Sequence, residues 1–154
     1  MATATASAKW PDVGEVPQWL KNWLDDFYAL ADTQGDEASR KFAAHFAEDG
    51  VQYGLGGPLR GREAIVQARA PGWKPMDWRK HEVLQIFTAR RDYSDVLVQG
   101  RITAVFKNKQ EVSGEFAVQI VFDDVSAPEP KAVLYKNWSI SVNLIINRRQ
   151  KLPC

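Results

Sequence analysis

Sulfur is scarce in this chain of 154 residues: two methionines and one cysteine, Cys154, the last residue. No intrachain disulfide can form, so packing and hydrogen bonding must hold the fold. Cys154 does not sit in a four-residue prenylation motif. An excess of one charge is also missing. Twenty Lys and Arg stand against 19 Asp and Glu, for a net charge of +1. That balance argues against a broad affinity for nucleic acid or for an anionic membrane surface. No apolar run approaches the roughly 20 residues of a membrane helix. Residues Met1 to Lys9 are Ala, Thr and Ser for the most part, without the basic and apolar regions of a secretory signal. Together these features predict a cytoplasmic location, with no nucleic acid and no membrane as partner. There is no phosphate loop and no dinucleotide fingerprint. The two histidines, His45 and His81, lack the carboxylate spacing of a facial triad. No metal and no cofactor are expected.

What the chain has in excess is rings: six Trp, seven Phe and four Tyr. At 45% hydrophobic and 25% charged residues it has the composition of one ordinary globular domain. So many rings in one small domain imply either a bulky core or a cavity walled with rings.

Periodicity divides the chain into an N-terminal extension (1–16), a domain (17–146) and a basic tail (147–154). From Gln18 to Asp32 the residues Trp19, Leu20, Trp23, Leu24, Phe27, Leu30 and Ala31 recur at spacings of three and four, an amphipathic helix started by Pro17 and ended by Gly35. Asp36 is placed to cap a second helix with Phe42, Ala43 and Phe46 inward, ended by Gly50. A short strand (Val51–Tyr53), a glycine loop through Pro58, and a third helix from Gly61 to Arg69 follow, the last broken by Pro71, Gly72 and Pro75. The rest reads as strands: 78–90, 96–106, 112–122 and 132–146, with a hairpin turn at Asn108-Lys109. Helices first and an antiparallel meander after make an α+β domain.

Three runs, Tyr28-Ala-Leu-Ala-Asp-Thr-Gln-Gly-Asp36, Phe46-Ala-Glu-Asp-Gly-Val-Gln-Tyr53 and Gly61-Arg-Glu-Ala-Ile65, resemble the SnoaL-like branch of the NTF2-like superfamily. The segment Arg79-Lys-His81-Glu-Val and the hairpin from Asp95 to Asp123 fit the same pattern. The resemblance spans residues 18–142 and implies an NTF2-like cone: three N-terminal helices packed in a strongly curved antiparallel sheet. Relatives include ketosteroid isomerases, scytalone dehydratase, polyketide cyclases, a dehydrochlorinase and non-catalytic binders, so fold alone does not assign a function.

The resemblance implies a site. His81 matches the catalytic histidine of the dehydratase and the dehydrochlorinase, and an imidazole there is suited to proton abstraction near neutral pH. Those relatives pair it with a carboxylate on the first helix. The matching position here is Leu30; Asp26 and Asp32 lie a turn or less away, off the expected face. Tyr28 matches an oxyanion-binding tyrosine of the isomerases and Tyr53 a pocket tyrosine of the dehydratase. The isomerase base falls on about Gly54 and its protonated acid on about Val118, which argues against that particular activity. Tyr135 and Asn137 alternate onto one face of the last strand and are expected to meet substrate, with Phe116 and Val118 as apolar wall. Trp73 lies in Ala70–Trp78, read either as a lid over the cone mouth or as a packed loop. The outer sheet face, with Glu115, is the expected homodimer surface.

The function these residues imply is a cofactor-independent enzyme of specialised, polyketide or terpenoid, metabolism. It would isomerise, cyclise or dehydrate a hydrophobic small molecule, with His81, Tyr28 and Tyr53 catalytic and Asn137, Tyr135, Phe116, Trp73 and Val118 binding. A binding protein without chemistry and a dimerisation module remain the alternatives.

Overall fold

The computed structural model of the chain describes residues 2–54 and 56–138. Helix α1 (Gln18–Ala31) begins after Pro17, whose missing N–H costs nothing at a helix start. It buries Leu20, Trp23, Leu24, Phe27, Tyr28 and Ala31 along one face. Helix α2 (Asp36–Ala43) carries Asp36 and Glu37 in its first turn and Arg40 and Lys41 in its last, matching the helix dipole at both ends. It stops earlier than its apolar spacing predicts. Phe42 and Phe46 are one helical turn apart, but Phe46 is instead the first residue of strand β1 (Phe46–Gly54), fully buried and opposite Ala132.

Strand β2 (Gly57–Arg60) folds back on β1 where the sequence suggested a loop. Helix α3 (Arg62–Trp73) runs through Pro71, which sits in its last turn and forfeits one backbone bond there. The segment read as a lid or a packed loop is therefore the end of α3 and the start of strand β3 (Met76–Thr88). Strands β4 (Asp95–Phe106), β5 (Glu111–Phe122) and β6 (Ala132–Trp138) complete a six-stranded sheet in the order β2-β1-β6-β5-β4-β3. The expected strand past Trp138, the tail and Cys154 lie outside the described residues.

The architecture is α+β, with three helices and a mixed sheet. Two expectations are corrected. The sheet is not wholly antiparallel, because β1 and β6 pair in parallel, joined by a long excursion through the rest of the sheet. Nor do all three helices precede the strands, since α3 follows β1 and β2.

One sheet face carries the core. Val83, Val96, Val98, Phe116, Val118, Ile120 and Tyr135 point inward against α1, while Leu97, Arg101 and Glu115 point outward, as strand alternation requires. The N-terminal extension is part of this body. Lys9 bridges Gln85 in parallel, Val83 N–H donates to the Ala4 carbonyl at 2.9 Å, and Thr5 donates twice to Asp25 at 2.8 Å. These bonds occupy the free edge of β3, which an unpaired edge strand would otherwise offer to other chains.

Candidate active site

The C-terminal end of α1 meets the first half of β3. On β3, Arg79, His81 and Val83 alternate onto the inward face, opposite Ala104, Ile102 and Gly100 of β4. On α1, Tyr28 and the capping residue Asp32 are four apart and share a face. That geometry brings Asp32 onto His81. The imidazole Nδ1 lies 2.5 Å from Asp32 Oδ1, and the His81 backbone N–H donates to Asp32 Oδ2 at 2.7 Å. Both carboxylate oxygens are thus engaged by one residue.

This corrects the expectation that the carboxylate position is Leu30 and that Asp32 faces elsewhere. If Tyr28 faces the sheet, Leu30 is turned about 200° from it, while Asp32 is turned only about 40°. The signal was present in the sequence as the four-residue spacing of Tyr28 and Asp32.

Rings surround the dyad. Tyr28 stacks on the imidazole with centroids 5.2 Å apart, and Phe116 meets it edge-on at 5.6 Å. The Phe116 ring lies over Gly100; a Cβ there would collide with it and come 2.8 Å from the Glu82 carbonyl. The Tyr28 hydroxyl is 3.4 Å from that of Tyr135. Burial drives both phenols upward. Tyr28 rises well above the usual tyrosine range, with further push from Tyr135, and Tyr135 rises to about 12, moderated by its hydrogen bond with Tyr28. Both are neutral at physiological pH. One donates to the other, and the acceptor keeps its own proton to give.

Two arginines frame the helix end. Arg69 of α3 donates through Nη2 to the Leu30 and Thr33 carbonyls, each at 2.8 Å. Arg79 donates to the Ala31 carbonyl from both Nε and Nη2. Burial lowers Arg69 to about 10, with help from the Arg79 charge, and lowers Arg79 against the opposing pull of Asp32. Both remain cations at neutral pH.

The structure brings together His81, Tyr28, Tyr135 and Phe116 from the expected set. It does not bring Tyr53 to them. Tyr53 pairs with Lys136, so its ring lies on the face opposite Tyr135, 38% exposed and 5.8 Å from the Lys136 ammonium. The β1–β6 parallel pairing, invisible in the sequence, sets that side. Trp73 is buried, but its face is taken by the Arg79 guanidinium at 4.2 Å. Val118 is fully buried, opposite Asn137, which shares Tyr135's face but is exposed near the end of the described strand. Sequence reasoning missed Asp32, Arg69 and Arg79.

Among the described residues, Nε2 of His81 has no hydrogen-bond partner, and it is absent from the sealed, unpaired atoms, which are Trp23 Nε1, Trp73 Nε1 and the Tyr93 hydroxyl. The side chains of His81 and Asp32 are 13% and 18% exposed. Two surface hollows lie elsewhere. One, about 220 Å³, is lined by Gln34, Ser39, Trp73 and Lys74 among others. The other, about 330 Å³, lies on the outer face beside Phe87, Leu97 and Trp138. Neither is lined by His81 or Tyr28. No cluster of three metal-binding side chains occurs among the described residues, and no helix among them is long and apolar enough to cross a membrane.

Three helices on this six-stranded mixed sheet have the NTF2-like fold, as superposition on solved structures shows. No family model matches the chain, and no curated protein matches it. Solved structures do. An NTF2-like protein of unknown function from Burkholderia pseudomallei superposes with a TM-score of 0.64 at 13% identity, covering 85% of this chain and 97% of that one. A hexachlorocyclohexane dehydrochlorinase gives 0.64 at 11% identity, over 79% and 83%. A candidate polyketide cyclase from Xanthomonas campestris gives 0.63 at 14%, over 84% and 96%. Identities this low carry the fold alone.

Proposed function

We propose that this protein is a cofactor-independent acid/base catalyst that moves a proton on a hydrophobic small molecule, with His81 as the base and Asp32 as its partner. The observation that carries the reading is the 2.5 Å contact of His81 Nδ1 with Asp32, together with an Nε2 that has no partner among the described residues. A carboxylate on Nδ1–H leaves the lone pair of a neutral imidazole on Nε2 and stabilises the imidazolium that forms when it takes a proton. Proton abstraction from carbon is a step that isomerisation, cyclisation and elimination can all share, and the dehydrochlorinase and cyclase among the similar folds are compatible with it.

In this reading the spare O–H of the Tyr28–Tyr135 pair donates to oxygen charge developing on the substrate. Phe116 supplies the apolar wall, Val118 backs it, and Asn137 contacts substrate at the rim. Tyr53 and Trp73 touch no substrate. The reading is tested with bicyclic and tricyclic aromatic ketones in D2O, by following deuterium exchange at the carbon next to the carbonyl. The wild type is expected to accelerate exchange over buffer and His81→Gln is not. A wild type no faster than His81→Gln ends the reading.

A second reading is binding without turnover, in one of the two hollows away from His81. A ketone that raises the melting temperature but exchanges no proton would select it. Pairing of two copies through the outer face is supported by exposed Phe87, Leu97 and Trp138. Light scattering tests that pairing, and a monomeric wild type ends it.

A further inference from the structure

We infer that Arg79 is a positioning residue for the His81–Asp32 dyad, held in that task by Trp73. The inference rests on the acid/base reading of His81 and concerns what sets its orientation. The last carbonyls of a helix have no partner within it. At the end of α1 and just past it, the carbonyls of Leu30, Ala31 and Thr33 are divided between two guanidinium groups. Arg69 takes Leu30 and Thr33, while its Nε donates to Ser39 at 3.2 Å and its plane lies 4.4 Å over Phe42. Arg79 takes Ala31, the carbonyl of the peptide bond that leads directly into Asp32. The same Arg79 Nε lies 3.8 Å from Asp32 Oδ1.

Asp32 stands where the helix dipole is negative, an end that repels a carboxylate. One planar fork therefore does two things there. It pins the peptide that carries Asp32, and it sets a positive charge against the carboxylate. Among the described residues, the hydrogen bonds to the Asp32 carboxylate come only from His81, and Arg79 adds an ion-pair contact. Without the fork, the carboxylate that orients the imidazole would be held only by His81 itself, through its ring and its backbone N–H. Trp73 sets the plane of the fork, with the guanidinium carbon 4.2 Å over its ring. The role that the sequence reading gave Trp73, stacking on substrate, passes to stacking on Arg79.

The experiment uses the full chain with histidine rings labelled with nitrogen-15, read by long-range proton–nitrogen correlation at about pH 8, where an ordinary imidazole is neutral. The chain has two histidines. His45 holds Nδ1 at 3.1 Å from the Lys41 carbonyl and so serves as the internal control for folding. In the wild type His81 is expected with its proton on Nδ1. Arg79→Gln is expected to move that proton largely to Nε2 with His45 unchanged. Arg79→Lys, which restores the charge but not the planar fork, recovers part of the Nδ1 form, and Trp73→Leu shifts His81 the same way as Arg79→Gln by less. In the ketone exchange assay Arg79→Gln lowers kcat by about 10- to 100-fold, the cost of a small misplacement at a reacting group, with little change in KM.

A His81 signal that stays in the wild-type form in Arg79→Gln overturns the inference, as does Arg79→Lys faring no better than Arg79→Gln. If Arg79→Gln loses the His45 signal and so fails to fold, Trp73→Leu decides: an unshifted His81 there overturns it. The tautomer is read on the resting protein. A proton that moves while the wild type exchanges no ketone ends the catalytic reading and leaves the positioning role standing.

Discussion

The two halves of α1 do opposite work with similar materials. The N-terminal half is a cluster of rings: both Trp19 and Trp23 meet Phe122 edge-on at 5.0 Å, and Trp23 reaches along the helix to stack on Phe27 at 4.6 Å. The C-terminal half also presents a ring, Tyr28, but there the ring covers an imidazole held by a carboxylate and flanked by a guanidinium. The difference follows from backbone chemistry. Mid-helix, every peptide group is satisfied internally and only apolar burial remains to be arranged. At the end, unpartnered carbonyls draw in donors, and the charged donors that arrive there make room for further charge.

The comparison breaks most sharply at Asp32. Asp32→Asn is expected to lower turnover on the order of 10⁴-fold, as a wrong histidine tautomer does in a triad. The amide oxygen must accept from the His81 backbone N–H, which leaves the NH2 facing Nδ1 and drives the ring proton to Nε2. Ketone exchange measures the loss, while urea unfolding should show little change. Phe27→Ala, at the middle of the ring cluster, should do the reverse. It is expected to cost about 3–5 kcal/mol in urea unfolding through the cavity it leaves and to leave the His81 tautomer as it is.

Gly100→Ala probes the boundary between the halves. Its Cβ drives into the Phe116 ring, and about 1–3 kcal/mol of stability should be lost, with a changed near-ultraviolet circular dichroism spectrum. A smaller effect appears in alkali. Tyr135 is raised in the folded state to about 12, from an unfolded value near 10. A group raised on folding contributes stability that is full below the unfolded value and lost as pH rises through the folded one. Stability should therefore fall from about pH 10 to about pH 12, and Tyr135→Phe should flatten that fall. The least effect is expected from Thr5→Ala, which removes the hydroxyl bond of the N-terminal extension to Asp25 and keeps the backbone one. About 1 kcal/mol should be lost in thermal unfolding, with exchange activity unchanged.

The α1 pattern and the alternation of β4 and β5 were legible because each is a local period repeated against one continuous core. Phe46 reads as helical in the sequence because a one-turn spacing after Phe42 satisfies the helix period whether or not the chain stays helical. Tyr53 was placed inward because alternation in β1 says which residues share a face, but not which face the parallel partner β6 will turn to the core. His81 was found from its type and from the resemblance of its segment. Its partner was missed because the matching was made by position, at Leu30, rather than by the helix face already assigned to Tyr28.

By itself, the sequence determined which residues are apolar at helical and strand periods, that no disulfide crosslinks the chain, and that a histidine and several phenols were available for chemistry. Those properties belong to side chains and short spacings. Only the tertiary structure decided that Asp32 rather than Leu30 meets His81, that Arg69 and Arg79 close the helix end, and that Trp73 is a platform for a guanidinium. The contacts of His81, Arg69 and Arg79 with the end of α1 each join segments more than 30 residues apart. Helix ends become sites only when another element supplies the missing donors.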